Sequence, residues 1–323
     1  MSFMQAIGAA IAAISLATTA LAETPVLRAA VLETGTVNWE LDTIKQHGFD
    51  AANGFDLQVA GVAGSQAAQV MFQAGETDVI VSDWLWVARQ RAEGNDFVFI
   101  PYSKAVGGLL VAGDSPAQSL QDLDGTKIGI AGGPLDKSWL ILRAYAQKNY
   151  GMDLVAQTEQ VFGAPPLIFK AAADGDLQGA INFWHWAAKM EAAGMRTLLS
   201  VEEAAVDLGL DPDTPLLGYV MKGEMLRDHP ELVEGMAAAS QAAKTLLATD
   251  DAEWDRLRAR MNAGNDAEFT ALVAGYRAGI PSDQPIDEAA AGRMLALMYD
   301  LGGAELLGEA TTLPEGVFVQ PGT

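Results

Sequence analysis

The sequence predicts an α/β protein of two lobes, each with a parallel-dominated sheet flanked by helices. Its 323 residues, half of them hydrophobic, are enough for two cores. Short apolar strands alternate with helices, which is the pattern of parallel sheets covered on both faces. An internal repeat supports two related lobes, because Gln73–Asn95 and Ala173–Met195 share glycines, alanines and two W-x-W pairs at an offset of 100 residues.

The first series of elements alternates strand and helix from Val26 to Tyr102. The strands are short, apolar and rich in β-branched residues, and each helix is followed by a glycine that suits a helix C-terminus. We expect strands at 26–32, 55–62, 79–81 and 97–102, and helices at 39–47, 65–74 and 84–93.

A second series begins after a strand at 109–112 and a turn at 120–125. It predicts strands at 127–131, 157–162 and 179–183, with helices at 136–150 and up to 173. The segment 216–221 reads as a strand that returns to the first lobe, and 229–301 is nearly all helical. Lobe 1 is therefore expected to hold residues 23–108 and 218–323, and lobe 2 residues 109–217.

Composition excludes several classes of function. A net charge of -22 repels nucleic acid and anionic membranes, so neither is expected as a partner. The chain has no cysteine, which removes disulfides, thiol catalysis and cysteine-ligated metal sites. With only three histidines, we expect no metal site and no cofactor.

The N-terminus predicts an export signal over residues 1–22. An apolar stretch from Ala6 to Ala17 precedes Ala20-Leu21-Ala22, a small-x-small cleavage pattern, although a basic start is missing. The alternative is a membrane anchor, but the apolar run is shorter than the roughly 20 residues that span a bilayer. We therefore expect a free protein in a Gram-negative periplasm.

Three segments carry a family resemblance: QAGETDVIVSD, LQDLDGTKIGIAGG and MLRDHPELVEGMAAA. In this order they resemble periplasmic substrate-binding proteins of the nitrate/sulfonate/taurine type, also called NMT1/THI5-like. The resemblance implies a type II periplasmic binding protein fold, a ligand cleft between the lobes and an ABC permease in the inner membrane as partner. Two departures argue against the family's common small ligands: the step after Gly175 lacks the usual Asp-Ala, and the loop after Gly133 carries Pro134, Lys137 and Trp139.

Ligands of open parallel sheets bind beyond the carboxyl ends of the strands, which selects the loops that follow them. The candidate ligand-binding residues in and near these loops are Thr36, Asn38, Trp39, Ser65, Gln66, Asp83, Trp84, Lys104, Gly133, Lys137, Trp139, Asn182, Trp184 and His185.

Four of the seven tryptophans lie in these loops, which predicts an aromatic cleft with Trp84 opposed to Trp184. Core packing is the alternative for each tryptophan. Asp83 could instead cap a helix, and Lys137 could instead lie on a solvated helix face.

We expect a monomeric binding protein with no catalytic residue. Its ligand is expected to be planar and aromatic or anionic, such as an aryl sulfonate or pyrroloquinoline quinone. Taurine, alkylsulfonates, nitrate, a thiamine-precursor pyrimidine and a quaternary ammonium compound remain alternatives. An accessory or sensor protein is a further alternative. The pyrimidine-forming enzymes of this fold depend on a cysteine-containing motif, which the chain lacks.

Overall fold

Two five-stranded sheets organise the chain in the computed structural model, which describes residues 24–319. The predicted export signal therefore lies outside the described residues. The strands are β1 Val26–Leu32, β2 Asp56–Val62, β3 Val79–Asp83, β4 Phe97–Ser103, β5 Gly108–Val111, β6 Lys127–Ala131, β7 Glu159–Gly163, β8 Gly179–Asn182, β9 Arg196–Ser200 and β10 Leu217–Lys222. Sheet 1 has the order β2-β1-β3-β10-β4, and sheet 2 has the order β7-β6-β8-β5-β9.

Helices cover the sheets and follow most strands. They are α1 Val37–His47, α2 Phe49–Ala52, α3 Ser65–Gln73, α4 Trp84–Ala92, α5 Lys137–Tyr150, α6 Leu154–Gln157, α7 Pro165–Ala173, α8 Trp184–Ala192, α9 Val201–Asp207, α10 Gly223–Asp228, α11 Pro230–Thr249, α12 Asp251–Met261, α13 Asp266–Ala278 and α14 Glu288–Leu307. The predicted turn at 120–125 contains a 3-10 helix, Leu120–Leu123. Sequence analysis missed β9, α9 and the short helices α2, α6 and α10.

Each sheet is parallel-dominated with one reversed strand inside it. In sheet 1, β1 runs parallel to β2 and β3, whereas β10 is antiparallel to its neighbours β3 and β4. In sheet 2, β5 is the reversed strand between β8 and β9. The predicted fold class, α/β with two parallel-dominated sheets flanked by helices, is confirmed: each sheet is mixed, with one antiparallel strand. We call sheet 1 with its helices lobe 1, and sheet 2 with its helices lobe 2.

The chain passes between the lobes twice, at residues 104–107 and 208–216. The sequence repeat occupies equivalent positions in the two sheets, because α4 starts at Trp84 after β3 and α8 starts at Trp184 after β8. Both helices thus begin at the carboxyl end of a parallel strand.

A buried carboxylate ties the helices of lobe 1 to its sheet. Glu40 in α1 is fully buried, and its Oε1 accepts hydrogen bonds from Tyr219 in β10 (2.8 Å) and Ser240 in α11 (2.6 Å). Lys244 in α11 forms an ion pair with the same oxygen at 3.1 Å. Tyr276 in α13 donates to Oε2 at 2.7 Å. One side chain therefore connects α1, β10, α11 and α13.

Replacing Lys244 by Met should destabilise the protein by about 3 kcal/mol, because it leaves the Glu40 charge buried without its counter-ion. The measurement is the free energy of unfolding in urea. Lys170→Met, at an exposed lysine paired with Asp174, is the matched control and should change stability by less than about 1 kcal/mol. Equal stability of the two variants would contradict the prediction.

Candidate functional site

A cavity of about 460 Å³ lies where the two lobes meet. Its walls come from both crossing connections, from α4, α13 and α14 of lobe 1, and from α5, α8, β9 and α9 of lobe 2. Most of the wall is apolar, with Leu85, Ile141, Met294 and Met298 among its larger side chains.

The first residues of two helices bring a cation and an aromatic ring to this cavity. Lys137 is the first residue of α5, which follows β6, and Trp184 is the first residue of α8, which follows β8. The carboxyl ends of neighbouring parallel strands meet at one edge of a sheet, so the following helices start close together. Asp136 caps α5 by accepting a hydrogen bond from the backbone N–H of Trp139 at 3.1 Å.

Lys137 pairs across the lobes with Asp83. Its Nζ lies 2.9 Å from Asp83 Oδ2, while Oδ1 of the same carboxylate caps α4 through the backbone N–H of Trp86, also at 2.9 Å. Burial lowers the pKa of Lys137, but the Asp83 carboxylate outweighs it and holds that pKa above its ordinary value. Asp83 therefore caps α4, which is the alternative that the sequence offered. Lys137 stays charged.

Lys104 brings a second ammonium group to the cavity from the first connection. Its Nζ lies 2.5 Å from Oδ1 of Asp213, on the second connection. An ammonium group has three donors, and one carboxylate partner leaves capacity for a ligand on both Lys104 and Lys137.

Of the four loop tryptophans, Trp184 lines the cavity. Trp84 and Trp139 are 0% and 1% exposed and pack in the core, so the expected opposition of Trp84 and Trp184 is wrong. Trp84 instead lies against Phe318, with ring centroids 5.6 Å apart. Trp39 is also in the core, where its ring supports Trp184 edge-on at 6.0 Å. The cause is the packing partner, because the Trp84 ring is enclosed by the C-terminal segment of lobe 1 at Phe318.

Three of the polar side chains that were predicted to contact ligand form hydrogen bonds within the protein. Asn38 donates to the carbonyls of Leu32, Glu33 and Gly35, which holds the loop after β1. Asn182 is buried and satisfied by backbone groups of the loops around it. Thr36 is buried and lies 3.3 Å from the Tyr102 hydroxyl. These hydrogen bonds give the three side chains a structural role, and their ligand contacts stay predictions.

Four remaining candidates lie outside the cavity wall. Ser65 and Gln66 are exposed at the start of α3, and Gly133 lies in the loop after β6, where an added Cβ would meet no atom within 4 Å. His185 lies among Phe183, Trp184 and Trp186. Burial, with a smaller effect of Lys189, lowers the pKa of His185 to about 4, so its imidazole is neutral at pH 7.

Sequence reasoning missed the wall formed by α13 and α14. Ala271, Ala274, Gly275 and Ala278 of α13 line the cavity, yet they follow no strand of either sheet. The signal that could have found them is small residues at three- and four-residue spacing, which form one face of a helix. Nothing in the sequence says that this face meets lobe 2.

The described residues, 24–319, contain no group of His, Asp and Glu side chains arranged to hold a metal ion. Over the same range, none of the helices combines the length and the apolar character that crossing a membrane requires.

The family model described as NMT1/THI5 like matches residues 43–253. The chain belongs to the NMT1/THI5-like family. The match spans both connections and the core of both lobes, and a search of curated proteins found no match.

Solved structures share the fold of this NMT1/THI5-like chain at low sequence identity. The alkanesulfonate-binding protein SsuA from Xanthomonas axonopodis pv. citri, bound to MOPS, is 17% identical with a TM-score of 0.69, over 92% of this chain and 99% of that one. The periplasmic aliphatic sulphonate-binding protein SsuA from Escherichia coli is 18% identical with a TM-score of 0.68, over 91% and 95%. A cysteine-to-serine mutant of DszB in complex with biphenyl-2-sulfinic acid is 17% identical with a TM-score of 0.57, over 91% and 98%.

Asp136→Asn should raise stability at neutral pH. Burial raises the pKa of Asp136 from 3.8 to about 6, so ionisation above that range penalises the folded state. Asn keeps the helix cap without the buried charge. We expect the variant to match the wild type at pH 3.5 and to exceed it by about 1 to 3 kcal/mol at pH 7.5. The measurement is the free energy of unfolding in urea at both pH values. A stability gain of the same size at both would contradict the buried Asp136 charge as its cause.

Proposed function

We propose that this protein is the periplasmic solute-binding component of an ABC importer, a monomer that delivers a small organic ligand to an inner-membrane permease. The cavity carries the proposal, because its walls come from both lobes and both connections. A ligand held there contacts both lobes at once, so binding favours the closed arrangement of the lobes. Membership of the NMT1/THI5-like family and the fold shared with SsuA proteins support this function.

The size and lining of the cavity favour a ligand with an apolar body. A volume of about 460 Å³ falls in the range of roughly 300–1,000 Å³ that organic ligands occupy. Alanine, leucine, valine and methionine side chains surround most of it, with the Trp184 ring at one side. Nitrate and taurine would leave much of this apolar wall uncovered, which costs affinity.

The charges favour a single anionic group on that body. Lys104 and Lys137 reach the cavity, and each is already paired with one carboxylate. Pyrroloquinoline quinone carries three carboxylates and would need more free cations than these two. An aryl sulfonate presents one anionic group to the lysines and a flat ring to Trp184. The biphenyl-2-sulfinic acid bound to DszB has an aryl body and one anionic group, and the MOPS bound to one SsuA is an alkyl sulfonate that shares only the anionic group.

The test is isothermal titration calorimetry of the chain with 2-naphthalenesulfonate, pyrroloquinoline quinone, taurine, a thiamine-precursor pyrimidine and choline. We expect saturable binding of the naphthalenesulfonate, weakened at least tenfold in Lys137→Met and in Trp184→Leu. The reasons are loss of the charge-assisted hydrogen bond in the first variant and of the stacking surface in the second.

Lys170→Met is the matched control, because Lys170 lies on the exposed surface of α7, and it should bind like the wild type. Binding of taurine alone, unchanged in Trp184→Leu, would overturn the aryl sulfonate as ligand. A chain that binds none of the panel would count against a solute-binding role in this cavity.

A further inference from the structure

The backbone of α13 approaches the Trp184 ring too closely for any side chain. A Cβ added at Gly275 would lie 2.9 Å from both Cε3 and Cζ3 of Trp184. Carbon atoms in contact are normally about 3.5 to 4.0 Å apart, so a methyl group here must displace the ring or the helix. Glycine at this position therefore permits the contact.

This contact joins the two lobes. Trp184 opens α8, which follows β8 of sheet 2, whereas Gly275 lies in α13, next to Tyr276. The buried Tyr276 hydroxyl donates to Glu40 of α1 at 2.7 Å, and the ring packs edge-on against Trp254 at 5.0 Å. The helix is thus anchored in lobe 1 one residue away from the contact.

A second glycine holds α13 against the first connection. A Cβ at Gly279 would lie 2.5 Å from the Cβ of Ala105, and the Gly279 carbonyl accepts a hydrogen bond from the Lys104 N–H at 2.9 Å. Because Tyr276 and Gly279 are both held in place, the C-terminal part of α13 has little freedom to move away from the Trp184 ring of lobe 2.

The ring of Trp184 is also bounded by Trp39, which meets it at an interplanar angle of 90°. Trp39 is held in turn by Trp254 and Tyr276, with centroids 5.9 and 6.0 Å away. Trp39 and Gly275 of lobe 1 therefore form a notch around the Trp184 ring. A ring displaced from this notch would move into the cavity.

From this geometry we infer that Gly275 determines ligand size by allowing Trp184 to seat in the notch when the lobes are closed. A methyl group at this position moves the indole towards the cavity. The cavity then has less room, which reduces the fit of a bulky ligand more than that of a small one. The inference rests on the proposed function, because it assumes that the ligand occupies this cavity.

The test compares Gly275→Ala with Gly292→Ala. Both positions are helical, but a Cβ at Gly292 meets no atom within 4 Å, so the control carries the same propensity change without the clash. Calorimetry gives the ratio of Kd values for 2-naphthalenesulfonate and benzenesulfonate. We expect Gly275→Ala to shift this ratio at least fivefold towards the smaller ligand, and Gly292→Ala to leave it within twofold of the wild type.

A double-mutant cycle separates the contact from general damage to the fold. In a Trp184→Phe background the smaller ring relieves the clash, so Gly275→Ala should leave the Kd ratio unchanged and should change the thermal unfolding midpoint only as much as Gly292→Ala does. In the Trp184 background the same change should lower the midpoint relative to Gly292→Ala and alter the tryptophan emission of the ligand-free chain.

The outcomes distinguish the two proposals. An unaltered ratio in Gly275→Ala, in a wild-type background that binds both sulfonates, overturns the inference. If the wild type binds neither sulfonate, the proposed ligand class fails and the size-selection role fails with it. The unfolding midpoints and the emission spectra then still establish whether the Gly275–Trp184 contact exists.

Discussion

The carboxylate of Glu40 is the constraint on which the arrangement of lobe 1 depends. It is fully buried and collects hydrogen bonds or an ion pair from Tyr219, Ser240, Lys244 and Tyr276, which come from three different elements. A buried charge must keep these partners, because losing one leaves an uncompensated group in a medium of low dielectric constant. The network thereby fixes the positions of α11 and α13 relative to α1 and β10.

The shape of the cavity depends on the network around Glu40. Tyr276 holds α13 in place, α13 presents Gly275 to the Trp184 ring, and the ring forms one side of the cavity. The second link between lobes is electrostatic, since Lys137 of lobe 2 meets the helix-capping Asp83 of lobe 1. An anion in the cavity would share Lys137 with Asp83, so ligand charge and lobe closure act on the same group.

Much of the fold follows from local pattern. The strands after residue 26 and the glycine-terminated helices were predictable because a buried strand and an amphipathic helix have different hydrophobic periods. The strand β9 was missed, because its sequence RTLLS is partly exposed and only weakly apolar. In the candidate site, Lys104, Lys137 and Trp184 were predictable by their proximity to strand ends or to the crossing point. The place of α13 in the cavity wall was not predictable, because no strand of either sheet precedes this helix and its contact with lobe 2 depends on the path of the chain.

The sequence by itself determined the α/β class, the repeated strand–helix unit and the family, because these depend on periodicity and on short local motifs. Only the tertiary structure decided between Trp84 and Trp184, which occupy the same position in the repeat. One ring is enclosed by the C-terminal segment at Phe318, and the other is left at the cavity beside Gly275. The physical reason is that burial depends on what packs against a residue, and for these two the partners lie far away in the chain.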